Sequence, residues 1–185
     1  MTIDVAFERF PILTTQRLSL RQIEQRDAED MFGMLADEET MRFYGQPYHS
    51  LEEVREYITL RQESYAERRD IRWSITRSDD DRVIGSCGFH HFGEGRAEVG
   101  YILSREYWGQ GIMPEALAVI LSFGFTEMGL HRIEAIIDIS NKRSKNLLLK
   151  LGFTYEGNLR QRYLLDGQFL DEHYFGLLRD EWHTP

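Results

Sequence analysis

The richest chemistry in this chain lies in Glu106–Ala116, where Trp108, Gly109, Gln110 and Gly111 make a glycine-rich turn between a strand-like run and an amphipathic helix. Such a turn aims several backbone N–H groups and a helix N-terminus at one point, so it can hold an anion without a side-chain charge. It reads as a pyrophosphate cradle built by the N–H groups of Gly109, Gly111, Ile112 and Met113, with Trp108 and Gln110 in the same loop. Pro114 has no N–H to add. A glycine turn that merely reverses the chain is the alternative reading. A P-loop is excluded, because no Gly-Lys-Ser or Gly-Lys-Thr follows.

Other reactive side chains do not gather in the sequence. Cys87 is the single cysteine; it stands in an apolar strand-like run and reads as a buried structural thiol. His49, His131, His173 and His183 are scattered, while His90 and His91, adjacent in a strand, should point to opposite faces, so no metal site is expected. A net charge of −9 argues against a nucleic-acid partner and suits a basic or cationic substrate.

These residues must be positioned by a chain of 185 residues, 42% hydrophobic and 29% charged, which fits one globular domain spanning 1–185. No apolar run approaches the roughly eighteen residues of a membrane span. The N-terminus has neither a basic region nor a continuous apolar one, so a cytoplasmic location and no membrane partner are expected.

The elements alternate in type. Arg17–Arg21 has period two and reads as a strand; Asp27 should cap a helix with Ala28, Met31, Phe32 and Leu35 on one face. Ser50 and Glu53 form a capping box for a second helix that carries Val54, Tyr57, Ile58 and Tyr65 and ends near Arg68 or Arg69. Strands Arg72–Thr76 and Val83–Phe89 flank a polar turn at 78–82, and a third, Ala97–Leu103, follows the loop at 92–96. The helix after the glycine loop should start near Met113, with Pro114 at its first position and Ala116, Leu117, Ile120 and Phe123 inward, and should stop at Gly129. A strand Arg132–Asp138, a helix from about Asn141 to Leu151 ended by Gly152, and strands around Leu159–Leu165 and Asp171–Leu177 joined by a turn at Asp166 and Gly167 complete the chain. The order βααβββαβαββ implies a mixed α/β (α+β) fold: one mostly antiparallel twisted sheet of about seven strands, one parallel pairing across the third helix, and helices on both faces.

With these segments in place the chain resembles the GNAT N-acetyltransferase superfamily, and within it the Rim-type branch of ribosomal-protein N-terminal acetyltransferases. The resemblance runs from about Leu13 to Trp182. It rests on Thr14–Leu18, Ala97–Tyr101, Trp108–Gly111 with Glu115 and Ala116, Asn141–Ser144, Lys150–Phe153 and Gly176–Trp182. One departure is Glu106, where the superfamily usually has Gln or Arg three residues before the first glycine. The resemblance implies acetyl-CoA as cosubstrate, its pantetheine amides paired with the strand at Tyr101, Ile102 and Leu103, and Asn141 and Ser144 near the pantetheine and thiol. Asn141 could equally be a plain helix cap.

The implied reaction is direct transfer of an acetyl group from a thioester to a primary amine. It needs a neutral nucleophile, donors for the oxyanion and a proton for the leaving thiolate. Glu98, a carboxylate in an apolar strand just before the pantetheine segment, is the candidate base, because burial would raise its pKa. An exposed glutamate in an ion pair is the alternative. By resemblance Ser144 is the candidate acid, against an ordinary first-turn serine, and a backbone N–H near Ile102 or Leu103 could stabilise the oxyanion. The acceptor is expected to be the α-amine of a protein or peptide N-terminus, gripped by the first two helices and the loops near Tyr44–Pro47, His90–His91 and Tyr163–Leu164; Phe43, Tyr44 and Tyr48 could line that mouth, with simple packing of a loop on the core as the favoured alternative. A small amine such as a polyamine or antibiotic is the runner-up, and a non-catalytic acyl-CoA sensor the third reading. The family also implies a homodimer.

Overall fold

The computed structural model describes residues 3–165 and 167–183. The chain opens with a short helix α1 (Val5–Glu8), a two-residue strand β1 (Leu13–Thr14) and β2 (Leu18–Arg21), then α2 (Ala28–Leu35), α3 (Glu38–Met41) and α4 (Leu51–Ala66). A three-strand meander follows: β3 (Ile71–Arg77), β4 (Asp80–Gly93) and β5 (Arg96–Leu103). The rest alternates α5 (Ile112–Thr126), β6 (Arg132–Asp138), α6 (Lys142–Lys150), β7 (Thr154–Leu165) and β8 (Gln168–Leu178). The mixed fold expected from the sequence is present. To the seven strands expected it adds β1, and to the helices it adds α1 and α3, segments too short to leave a periodic signal.

Three local expectations need correction. Asp27 occupies the N-cap position of α2 but makes no side-chain cap bond to it; its carboxylate accepts from the Glu24 N–H at 2.8 Å and is held by Arg21, closing a single 3₁₀ turn at Gln25–Asp27 that leads into the helix. The box at the start of α4 closes one residue early: Ser50 Oγ accepts from the Glu53 N–H, but the Glu53 carboxylate accepts from His49 N–H at 2.7 Å, not from Ser50. α5 begins at Ile112 with Gly111 as its N-cap, so Pro114 is the third helical residue, a position whose N–H needs no intrahelical partner. Leu165 pairs with Gln168 and Gly167 has φ +78°, as a tight hairpin requires; Asp166 lies outside the described residues.

All eight strands form one sheet in the order β1-β2-β3-β4-β5-β6-β8-β7. Every pairing is antiparallel except β5 with β6. That parallel pairing extends only over Arg96, Ala97 and Glu98 against Arg132, Ile133 and Glu134. Beyond Glu98 the two strands part, so the sheet forks in its middle.

Period-two alternation sorts the two faces. Val83 and Ile102 point into a cluster with Met31, Leu35, Val54 and Ile58 of α2 and α4. Their neighbours Ile84 and Leu103 point the other way, into the larger cluster with Leu117, Ile120 and Phe125 of α5 and Leu148 of α6. Cys87 is fully buried there, and burial pushes its thiol up to about 12. Among the described residues no helix is long and apolar enough to cross a membrane.

Candidate active site

The fork and the glycine loop lie side by side. From Val99 to Leu103, β5 is paired with β4 on one edge, and no described strand pairs with its other edge. Ile102 and Leu103 bury their side chains in the two cores, so what they offer a ligand is backbone. In the loop, Gly109 and Gly111 have φ of +75° and +74°, left-handed values that glycine adopts without a Cβ penalty. Gly111 ends the loop as an N-cap without a side-chain bond, and Ile112 and Met113 have no protein acceptor for their N–H groups among the described residues. Those amides are available to an anion.

The loop's shape is fixed by side-chain hydrogen bonds. Trp108 Nε1 donates to the Leu103 carbonyl at 2.8 Å, and Gln110 Nε2 donates to the Glu106 carbonyl at 2.8 Å. Arg17 donates to the Gln110 carbonyl at 3.1 Å and forms a salt bridge with Glu115 in the first turn of α5. Glu106 therefore contributes a carbonyl to the loop where the superfamily usually carries Gln or Arg. Gln110 acts as a brace, and it does not line the cleft.

The cleft itself has a volume of about 590 Å³ and is lined by Tyr101, Ile102, Leu103, Trp108, Gly109, Gly111, Ile112, Met113, Asn141 and Ser144. It also takes in Lys142, Arg143 and Lys150 of α6, which the sequence reading did not single out. For Lys142 and Arg143 a signal existed. Lys142 and Arg143 occupy the first turn of a helix that has no acidic residue there, where the macrodipole disfavours positive charge. A cation in that place points to an anionic ligand. Arg143 is held with its guanidinium 3.7 Å above the Trp108 ring.

A second cavity of about 870 Å³ lies on the other side of the fork and shares Phe43, Tyr44, Tyr101, Asn141 and Ser144 with the first. Glu98 opens into it with its side chain 17% exposed. Phe43 and Tyr44 stand at the mouth of both cavities, whereas Tyr48 packs edge-on against Tyr57. At the junction the Tyr101 hydroxyl lies 2.6 Å from Ser144 Oγ. Asn141 Oδ1 accepts from the Ser144 N–H at 3.0 Å, so Asn141 is a helix cap that also lines both cavities. Tyr101 was expected to contribute through its backbone; its hydroxyl is an addition that strand periodicity could not reveal.

Burial raises the Tyr101 phenol to about 12, against a smaller opposing effect of Ser144. An ordinary thiol titrates near 8.5, so complete proton transfer from Tyr101 to a thiolate would be uphill by about 5 kcal/mol. The pair is suited to donating a hydrogen bond and relaying a proton.

The histidine reading needs correction. His91 and Phe92 of β4 stand opposite Ala97 alone, a bulge that gives His91 a φ of +50° and breaks the period-two alternation. Both rings therefore reach the same carboxylate: His91 Nδ1 is 3.0 Å from Glu98 Oε2 and His90 Nε2 is 4.0 Å from Glu98 Oε1. Glu98 is thus mostly buried and hydrogen-bonded to a histidine, in place of the exposed, ion-paired glutamate of the alternative reading.

An open-edged strand beside a loop of free amides, with a second cavity that meets the cleft at two hydroxyls and holds a carboxylate, suits an enzyme that passes a group between two substrates. Residues 17–154 match the family model described as acetyltransferase (GNAT) domain, and the chain belongs to that family. It is an N-acetyltransferase-type acyltransferase with acetyl-CoA as cosubstrate. A protein of Bacillus subtilis (strain 168) named as the uncharacterized N-acetyltransferase YoaA is 39% identical over 92% of this chain and 98% of its own length. The spermidine N(1)-acetyltransferase of Escherichia coli (strain K12) is 26% identical over 82% of this chain and 81% of its own. The crystal structure of a GNAT-family acetyltransferase from Bacillus anthracis superposes with a TM-score of 0.84 at 26% identity, covering 92% of this chain and all of that one. The residues present fit the cosubstrate: free amides for its diphosphate, cations beside them and an open strand edge for its amide-bearing arm.

Proposed function

We propose that the chain acetylates the α-amine of a protein or peptide N-terminus, as the Rim-type branch does, with Glu98 as the base. The observation that carries this is the position of Glu98: its carboxylate opens into the second cavity, which shares Tyr101 and Ser144 with the first cleft. An α-amine titrates near 7.7–8.0, so freeing its lone pair at pH 7 costs about 1 kcal/mol, against about 4.6 kcal/mol for a lysine. A half-buried carboxylate is adequate for the smaller task.

In this reading the loop amides at Gly109, Gly111, Ile112 and Met113 hold the diphosphate, and Tyr101, Ile102 and Leu103 present their free edge to the pantetheine. The amine nitrogen attacks the thioester carbonyl, whose developing oxyanion accepts from a backbone N–H of β5 near Ile102 or Leu103. The C–N bond forms and the C–S bond breaks. The amine proton passes to Glu98, directly or through a water, and the thiolate is protonated through the Tyr101 and Ser144 hydroxyls.

The charge of the second cavity favours an α-amine over a polyamine. Arg61, Arg68, Arg69 and Arg72 line it together with Asp70, Glu98, Asp138 and Glu172, so a polycation would find as many guanidiniums as carboxylates. The polyamine reading is kept because the Escherichia coli relative is named for spermidine. Release of CoA thiol from acetyl-CoA tests the choice, using short peptides with a free α-amine, the same peptides blocked at that amine, and spermidine. Turnover confined to the free-amine peptides is the expected result. Turnover confined to spermidine would overturn the acceptor assignment, and silence with all three would favour a sensor.

A further inference from the structure

The bulge in β4 does more than turn a histidine. We propose that His90, His91 and Glu98 form a binding site for a d-block divalent cation, Zn²⁺ above all, at the acceptor end of the cleft. Their ligand atoms lie within 4.8 Å of one another, with the two imidazole rings at 87° and their centroids 4.5 Å apart. Around a tetrahedral Zn²⁺ such atoms stand roughly 3.4 Å apart, so small side-chain rotations close the set. Two imidazoles and one glutamate leave a fourth position open towards the cavity. Imidazole pairs prefer Zn²⁺, Cu²⁺ or Ni²⁺ and serve Mg²⁺ and Ca²⁺ poorly.

Two independent features support the site. His91 is a non-glycine residue held at φ +50°, a strained conformation that brings Nδ1 to Glu98 although most of its ring is in solvent. His90 stands directly opposite Glu98 in the register of β4 with β5, its ring mostly buried. Its Nδ1 is buried without a partner among the described residues, so its remaining polar capacity is Nε2, which faces Glu98. Arg72 also lines this cavity and its charge opposes a cation, which places the site below a closed structural zinc site in affinity.

A cation here would occupy Glu98 and shut off acetyl transfer, a consequence that rests on the base assignment above; binding itself does not. The test is therefore titration of chelator-treated protein with ZnCl₂ by calorimetry, without acetyl-CoA or acceptor, together with Co²⁺ and its visible absorption. His91→Gly is the informative variant, because glycine is at ease at positive φ and the fold should be retained, as thermal melting will show. One Zn²⁺ per chain is expected, weakened about tenfold or more by His91→Gly, abolished by His91→Gly with Glu98→Gln, and not competed by Mg²⁺. Equal Zn²⁺ binding by the wild type and the double variant, or no binding by the wild type, overturns the site while leaving the acetyl-transfer reading untouched.

Discussion

Arg17 and Glu115 meet in a salt bridge of 2.6 Å that ties the turn between β1 and β2 to the first turn of α5. Burial opposes the charged form of Glu115, but hydrogen bonds from Thr15 and Arg17 and the charge of Arg17 outweigh it and hold the carboxyl below its usual range. The anionic group at the helix start is thereby neutralised beside the place where another anion must bind. Arg17 also holds the Gln110 carbonyl, at 3.1 Å, so one guanidinium sets both the charge and the shape of the loop.

Replacing Arg17 with Ala should leave an unpaired carboxylate next to the diphosphate and loosen the loop. A loss of about 1 kcal/mol is expected, or roughly fivefold weaker acetyl-CoA binding, with turnover at saturation little changed. Calorimetric titration with acetyl-CoA reads this directly. An unchanged dissociation constant would show that the brace has no part in the cradle.

Tyr101 and Ser144 touch at 2.6 Å and should behave as one unit. Tyr101→Phe is expected to lower turnover about ten- to a hundredfold and Ser144→Ala by less, with the double variant no worse than Tyr101→Phe, since contacting residues are not additive. Steady-state rates of CoA release from the three variants check this. Effects that multiply, or no effect of Tyr101→Phe, would exclude a shared relay.

His90 couples stability to pH. Its folded pKa, lowered by burial and then by Arg72 to about 3, lies below the ordinary value of 6.5, so the unfolded chain binds the proton more readily. The contribution of neutral His90 is complete above pH 6.5 and is lost as pH falls towards 3. Between pH 7.5 and 5 the wild type should lose about 2 kcal/mol more than a His90→Gln variant, at up to about 1.4 kcal/mol per unit. Urea denaturation of both proteins at pH 7.5, 6 and 5 measures the difference. Parallel curves would mean that the ring protonates without cost.

The sequence was legible where local physics and tertiary structure agree. Gly109 and Gly111 stand out because left-handed backbone before a helix asks for glycine, and β6 is found at Arg132–Asp138, the span its pattern marks. The pairing of Arg17 with Glu115 was hidden, because charges 98 positions apart carry no periodic signal. The bulge at His91 was hidden for a different reason: period two assumes one residue per step, and a single extra residue reverses which side the ring takes. Lys142 and Arg143 were overlooked although they break a rule of helix electrostatics, and a broken rule of that kind marks a ligand.

The most direct measurement is CoA release by Glu98→Gln with a free-amine peptide, followed from pH 6 to pH 9 beside the wild type, with the acetyl-CoA dissociation constant measured on the same preparations. Turnover about a hundredfold lower near pH 7, a gap that narrows as the amine loses its proton unaided, and unchanged acetyl-CoA affinity are the expected results. Equal turnover of the two proteins across the whole range would contradict Glu98 as the base.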